Sequence, residues 1–597
     1  MPSRATLLCS RRSSSADERL GRLIEFLGVE LESVHTPVHE ATSALARGHL
    51  EEDSSCILAS AETMAEVLGG GGDATAGCAL LARSRFLFVH GFTARQPYSS
   101  VAAHLTGGAI SSVQGFDSPD HQYRVGSSCR EITQEFTGLS FGPIQKNTDF
   151  GFALSSTSGE LSVLVDIDGI PLFVMLDKPR STLFLLASEI ADIGQRIDRA
   201  PATTEYFSRL APPLMFLKYV FKERCWHSAR RYANLIIDDP NLKRSYGFLS
   251  YRRLLEKTRD LNFAATIAFI PWNRNRTDRS TVQLFLNHPE RLSLCIHGCD
   301  HTRSEFGVTD TAALNTQVIT ATGRMEALRN RTGLPYAAVM VFPQGKFSSQ
   351  SLRVLEANNY LAAVNTDAIP TDLQDSHGLT IADFLSPAIT KYGGVPLFLR
   401  RYPREVVDFA FDLFFAKPLL AVEHHEYFKH ECRELIEFIH KLDSISPRLE
   451  WMALGKILSR SYLEKSAPQQ TTCCRMSTDG LVIENTGALA KKYVILKDES
   501  NRVPVEKVLV NSETVPIAIE QGTLRLTVEV PAGASWTLSI VRRNDLPCVP
   551  ISNQFVYASK VRVWRVLSEF RDNYLAKNDR LLSAAKRMKQ TFERRAS

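Results

Sequence analysis

The run Ala233-Asn234-Leu235-Ile236-Ile237 leads straight into Asp238-Asp239-Pro240, and Leu292-Ser293-Leu294-Cys295-Ile296 leads into His297-Gly298-Cys299-Asp300-His301. Each apolar run is short and stopped by turn residues, the pattern of a strand buried on both faces of a parallel sheet. Folds of that kind collect their chemistry where the strands end. The two strand ends supply two carboxylates and two imidazoles. Four residues apart, the imidazoles share one face if their segment turns helical. With one carboxylate they make three protein ligands, which leaves a catalytic divalent metal an open position. Spacing alone does not tell the two carboxylates apart. An Asp-Asp pair before proline is often a cap or turn, and His-x3-His recurs by chance on helices. Their conjunction, each after a strand-like run and in the order a barrel needs, points to a metal hydrolase.

Further strand ends follow the same plan. Residues 265–270 precede Trp272 and Asn273, residues 338–342 stop at Pro343-Gln344-Gly345, residues 395–399 end at Arg400-Arg401, and residues 418–422 run into Glu423-His424-His425. These strand ends follow one another in the order that a barrel needs.

On these motifs, residues 230 to 455 resemble the polysaccharide deacetylase superfamily, the carbohydrate esterases of family four and their relatives. The resemblance implies a deformed (β/α)7-type barrel over residues 230–457, with Asp238 as the general base and Asp239, His297 and His301 holding a divalent metal, expected to be zinc. It also implies a general acid from a histidine on a late strand, His425 or His424, with His425 favoured. A bound metal lowers the pKa of water from about 15.7 toward about 7, and a free carboxylate can then take a proton as an acyl carbon is attacked. Where the family has an Arg-Pro-aromatic motif this chain has Phe342 and Gln344. The arginine that would orient the base is then expected from Arg400 or Arg401. Trp272, Asn273, Phe342, Gln344 and Arg400 are the candidate substrate contacts. Cys299 and Glu305 fall near the ligand motif, but a third helical ligand would duplicate Asp239.

At 597 residues, with 44% hydrophobic and 23% charged residues, the chain is an ordinary globular one of several domains. Residues 1–205 read as an α/β Rossmann-like domain, with strand-like runs at 5–9, 55–59, 85–90 and 161–165 and helical stretches at 17–27 and 61–68. The glycine cluster at 69–72 follows a helix, so it reads as a loop rather than a phosphate cradle. Residues 471–545 switch to β-branched alternation between Gly, Asn and Pro turns, the pattern of a β-sandwich.

Residues 555–597 read as a basic amphipathic helix with apolar positions at Val563, Leu567, Phe570, Tyr574, Leu581, Ala585, Met588 and Phe592. From 560 to 595, eleven Lys or Arg face four Asp or Glu, a surplus of seven on a chain of net charge +5. Such a helix suits an inner-membrane surface, a polysaccharide-assembly partner, or its own protein. The basic charge is confined to this tail, which argues against nucleic acid. The 11 cysteines form no disulfide framework, and the first apolar run is too short for a secretory leader, so a cytoplasmic protein is expected, peripheral to the inner membrane if the tail anchors it. The expected function is metal-dependent removal of an N-acetyl or other acyl group from a saccharide or its precursor. The alternatives are a glycoside hydrolase-like barrel and a non-catalytic scaffold in polysaccharide biosynthesis.

Overall fold

Apolar runs without polar interruption bury both their faces, and seven of them form one parallel sheet. In chain order these are β1 (Tyr232–Asp238), β2 (Ala265–Phe269), β3 (Leu292–His297), β4 (Val339–Val341), β5 (Ala362–Asn365), β6 (Leu397–Leu399) and β7 (Leu419–Glu423). Across the sheet the order is β6-β5-β4-β3-β2-β1-β7, and every neighbouring pair is parallel. The two edges meet at one bridge: the Arg401 amide donates to the Leu420 carbonyl and the Val422 amide donates to the Arg401 carbonyl, both at 2.9 Å. The sheet therefore curls into the deformed barrel that the resemblance implies. A further short strand, β8 (Glu450–Trp451), pairs with the beginning of β1.

The inside of the curl is packed by Ile236, Ala268, Cys295, Val341, Val364, Phe398 and Leu420. Burying each large aliphatic or aromatic side chain of this kind contributes about 1.5–3 kcal/mol. Helices cover the outside and begin where the sequence caps them. Asp310 accepts from the amides of Ala312 and Ala313 to start Thr311–Thr332, and Gly333 ends that helix in the left-handed region at φ 78°.

The computed structural model describes residues 2–10, 14–35, 56–68, 84–155, 161–302, 304–373, 378–516, 518–549 and 554–577. The chain forms two compact units, one of Met1–His227 with Thr380–Ala382 and Glu464–Pro468, the other of Ser228–Leu379, Asp383–Leu463 and Gln469–Ser597. In the first unit, Arg4–Cys9, Glu30–His35, Cys56–Ser60, Phe86–His90 and Ser181–Leu186 are parallel, as in a Rossmann-like sheet. The sheet continues through antiparallel strands Ile170–Lys178, Leu161–Ile167, Tyr123–Val125 and Ser140–Phe141, an extension that the sequence pattern does not announce. The glycine cluster at 69–72 lies outside the described residues.

The second unit also contains a sandwich of two sheets. One includes Thr471–Arg475, Lys491–Asp498, Thr523–Val530 and Ile519–Glu520; the other is Gly480–Glu484, Ser535–Arg542, Val505–Val510 and Glu513–Val515. Strict alternation buries Trp536, Leu538 and Ile540 against Leu481, Ile483, Tyr493 and Ile495. The terminal helix, Gln554–Phe570, ends in a wider π turn at Arg571–Leu575, and the remaining positions of the expected helix fall outside the described residues. Among the described residues, no helix is long and apolar enough to cross a membrane.

Candidate metal centre

Side chains alternate along a strand, so a residue two beyond an inward-facing one also faces inward. Ile236, Cys295, Phe398 and Leu420 face inward. Stepping onward by two places Asp238, His297 and Arg400, and by four His424, on the inner side at the carboxyl edge of the sheet. Asp239 lies just past β1 and adopts φ 80°, a left-handed conformation that an aspartate holds only when its surroundings fix it.

Three donor atoms converge here. Asp239 Oδ1 lies 3.4 Å from His297 Nε2 and 3.0 Å from His301 Nε2, and it is a buried oxygen without a hydrogen bond. His297 Nδ1 lies 3.0 Å from the Val341 carbonyl. A carbonyl only accepts, so a ring proton sits on Nδ1, which leaves Nε2, on the Asp239 side, as the nitrogen that could ligate. Among the described residues, Asp239, His297 and His301 are the group whose ligand atoms all lie within 4.8 Å of one another. Two imidazoles and a carboxylate suit zinc or a similar divalent ion with an open position, so the donor set fits the metal that the sequence implies.

The two histidines reach this point without a helix, contrary to the helical reading of His-x3-His. The chain turns at Gly298, φ 62°, where a Cβ would collide with Glu305 and Pro343. Buried Glu305 fixes the turn by accepting from the amides of Cys299, Asp300, His301 and Thr302 at 2.8, 3.2, 3.1 and 3.2 Å. Its carboxylate thus shapes the ligand loop. Cys299 is buried beside Arg324, whose Nη1 lies 3.3 Å from its Sγ.

Asp238 is gripped by Arg400, whose Nη1 and Nη2 donate to its two carboxylate oxygens at 2.7 Å each, in a pair buried to about 5% exposure. Burial alone would raise the Asp238 pKa, but Arg400, with His297, outweighs it and brings the carboxyl below its ordinary value. Arg401 pairs instead with Asp412.

The two late histidines diverge. His424 is half-buried, stacks on Tyr402 and is close enough for its charge to act on Asp238. His425 is buried between Tyr246 and Phe248, with Nε2 3.6 Å from Asp572. Of the candidate substrate contacts, Trp272 is half-buried beneath the Arg324 guanidinium and Asn273 is buried with its Oδ1 unpartnered. Gln344 is exposed, whereas Phe342 is fully buried against Phe347 and so belongs to the core.

Of the placements that its sequence leaves open, the terminal helix takes the one on its own protein. Tyr557 donates to Asp300 at 2.8 Å, and Arg565 lies 3.3 Å from His301 Nδ1. Glu569 meets Asn241, Lys243 and Arg276, while Asp572 accepts from Tyr246 at 2.6 Å. The helix thus folds onto the barrel by its polar face. Val563, Leu567, Phe570 and Tyr574, apolar positions of the expected helix, are 57%, 57%, 51% and 67% exposed.

No model of a known protein family matches the chain, and no curated protein does. Among solved structures it is similar to carbohydrate deacetylases. Agd3, described as a novel carbohydrate deacetylase, aligns over 92% of this chain and 99% of its own at 10% identity, TM-score 0.46. A family 4 carbohydrate esterase from Streptomyces lividans aligns over 37% of this chain and 91% of its own at 15% identity, TM-score 0.23. A pseudoenzyme of the same family from Bacillus anthracis aligns over 37% and 64% at 13% identity, TM-score 0.24.

Proposed function

We propose that the protein is a divergent member of the polysaccharide deacetylase superfamily, a metal-dependent hydrolase that removes an N-acyl group from a saccharide. The observation that carries this reading is the convergence of Asp239, His297 and His301 beside the Arg400-clamped Asp238 at one edge of the barrel. Asp239, His297 and His301 would hold the ion, zinc by the chemistry of the donors, and it would supply Lewis-acid activation of water and of the acyl carbonyl.

The chain's own groups do the rest. Asp238, kept ionised by Arg400, accepts the proton of the attacking water. Arg400 fixes the direction of that carboxylate through two parallel hydrogen bonds. His424 is the group we assign to protonating the leaving amine, because strand alternation turns it to the inner side with Asp238. His425 is turned away from that side toward Asp572 and supports the wall behind Tyr246. Trp272 and Asn273 follow β2 at the same edge and are the proposed saccharide contacts that remain.

The reading is tested by incubating the purified protein with N-acetylated oligosaccharides and assaying both acetate and reducing ends, alongside metal content. Acetate without new reducing ends, lost with the metal in His297→Ala/His301→Ala, is the expected result. New reducing ends without acetate would move the protein to the glycoside hydrolases, and a wild type that takes up no zinc, cobalt or nickel would overturn the mechanism.

A further inference from the structure

Beside the ligand loop is a cavity of about 430 Å³ lined by Trp272, Arg274, Arg276, Arg324, Arg562 and Arg565, among others. That volume is within the range of small-molecule sites, about 300–1,000 Å³. Five guanidinium groups around one cavity are a concentration of like charge that needs a cause. Two are neutralised: Arg324 by Asp300 and Arg276 by Glu569. Arg274, Arg562 and Arg565 have no carboxylate partner among the described residues. Partial burial, with the Arg324 charge beside it, lowers the Arg274 pKa, a sign that the packing costs energy.

The cations come from two separate parts of the chain. Arg274 and Arg276 follow β2, while Arg562 and Arg565 belong to the terminal helix. That helix brings its arginines to the cavity while leaving Val563, Trp564, Leu567 and Phe570 in solvent at 57%, 61%, 57% and 51% exposure. Val561 is the hydrophobic side chain that this helix buries among its described residues, so its polar contacts, these arginines among them, do most to orient it. The cavity also adjoins the metal ligands, since Arg565 lies 3.3 Å from His301 and Arg324 donates to the Cys299 carbonyl at 3.2 Å. A guanidinium fork matches the two oxygens of a carboxylate or phosphate in a way that a neutral sugar hydroxyl does not.

We propose that this cavity binds an anionic group of the substrate, so that the saccharide is one carrying a carboxylate or a phosphate close to the N-acyl unit. The proposal rests on the deacetylase reading for the word substrate, but not for the binding itself.

Calorimetric titration of the full-length, metal-loaded protein with four probes separates the two. A hyaluronan hexasaccharide offers carboxylates and N-acetylglucosamine 1-phosphate a phosphate. A chitin hexasaccharide and N-acetylglucosamine are their uncharged counterparts. At least one charged probe is expected to bind ten times or more tighter than its counterpart and to weaken as salt rises. Which charged probe does so identifies the anion. Arg274→Glu with Arg562→Glu is expected to lose at least tenfold in affinity for that probe, and Arg274→Lys with Arg562→Lys, which keeps the charge but not the fork, to lose less than the glutamate variant. Unchanged metal-to-protein stoichiometry verifies that the glutamate variant is folded. Equal binding of charged and neutral probes, or a glutamate variant that binds like wild type, would overturn the proposal. Charge-dependent binding with no acetate released from any probe would sustain the cavity and remove the deacetylase. Acetate released equally well from chitin and hyaluronan, with equal affinities, would do the reverse.

Discussion

The second unit holds two buried clusters of charge built on opposite rules. Where the helix Ser349–Ala357 meets the sandwich, Arg542, Arg502 and Lys497 face Asp479, Glu499 and Glu356, three cations against three carboxylates. Arg542 alone reaches Asp479 at 2.7 Å and Glu499 at 2.6 Å, with no exposure of its own side chain. At the barrel edge the balance is left incomplete. Arg400 answers Asp238, but Asp239 has only two imidazoles, and one of its oxygens is buried without a hydrogen bond. A charge cluster closed on itself serves cohesion, whereas one that is a cation short is prepared to receive a cation.

Breaking the open cluster should cost the most function. In Asp238→Asn, acetate release is expected to fall about a hundredfold to ten-thousandfold, with metal content unchanged. Breaking the closed cluster should do the opposite. Arg542→Met leaves three buried carboxylates against two cations and is expected to cost about 3–5 kcal/mol of unfolding free energy, read from denaturant titration, with wild-type metal stoichiometry. A loss of metal in that variant would show that the two clusters are not independent.

Glu305→Gln sharpens the distinction, because Glu305 serves the ligand loop through four backbone amides and the Thr302 hydroxyl. Metal affinity is expected to drop about 10–100-fold, measured by competition with a chelator. The smallest effect concerns pH. Burial pushes Glu423, at the end of β7, up to about 7. Its folded pKa exceeds its unfolded one, so its contribution is full in acid and is lost as pH rises through about 7. Asp479 and Glu499 have the opposite sign. Burial would raise them, but Arg542 and Lys497 hold both below the ordinary carboxylate range. Their contribution is present at neutral pH and is lost only as pH falls beneath that range. Glu423→Gln should therefore flatten the fall of Tm between about pH 5 and about pH 8 and leave the acid limb unchanged.

Most barrel strands are legible in the sequence because a strand covered on both faces is an uninterrupted apolar word ending at a polar one. Runs ending at Asp238, His297, Phe342, Arg400 and Glu423 mark the strand ends by composition alone. β5 escapes that reading because Ala362 and Ala363 make a weak apolar signal in only four residues. The candidate metal ligands lie at the ends of these runs, but choosing Asp239 over Asp238 among them rests on the family resemblance, because spacing does not tell the two carboxylates apart. Assigning Glu305 to the loop amides, choosing between His424 and His425, and bringing Tyr557, Arg565 and Asp572 to the barrel depend on contacts between distant or non-periodic segments, which no spacing rule encodes. The terminal helix departs from its pattern for a physical reason. Periodicity identifies an apolar face, but here the hydrogen-bonding face is the one that docks.

Arg400 and Arg401 are adjacent in an extended segment, and each has a separate job. One side chain grips Asp238 inside the curl, while the other reaches Asp412 as its backbone joins the sheet edges. Neighbours in such a segment point to opposite sides, so a slip of one residue would exchange them. The barrel's seam is therefore also an alignment mark: the hydrogen bonds that close it set the phase of the chain, and that phase decides which arginine the base receives.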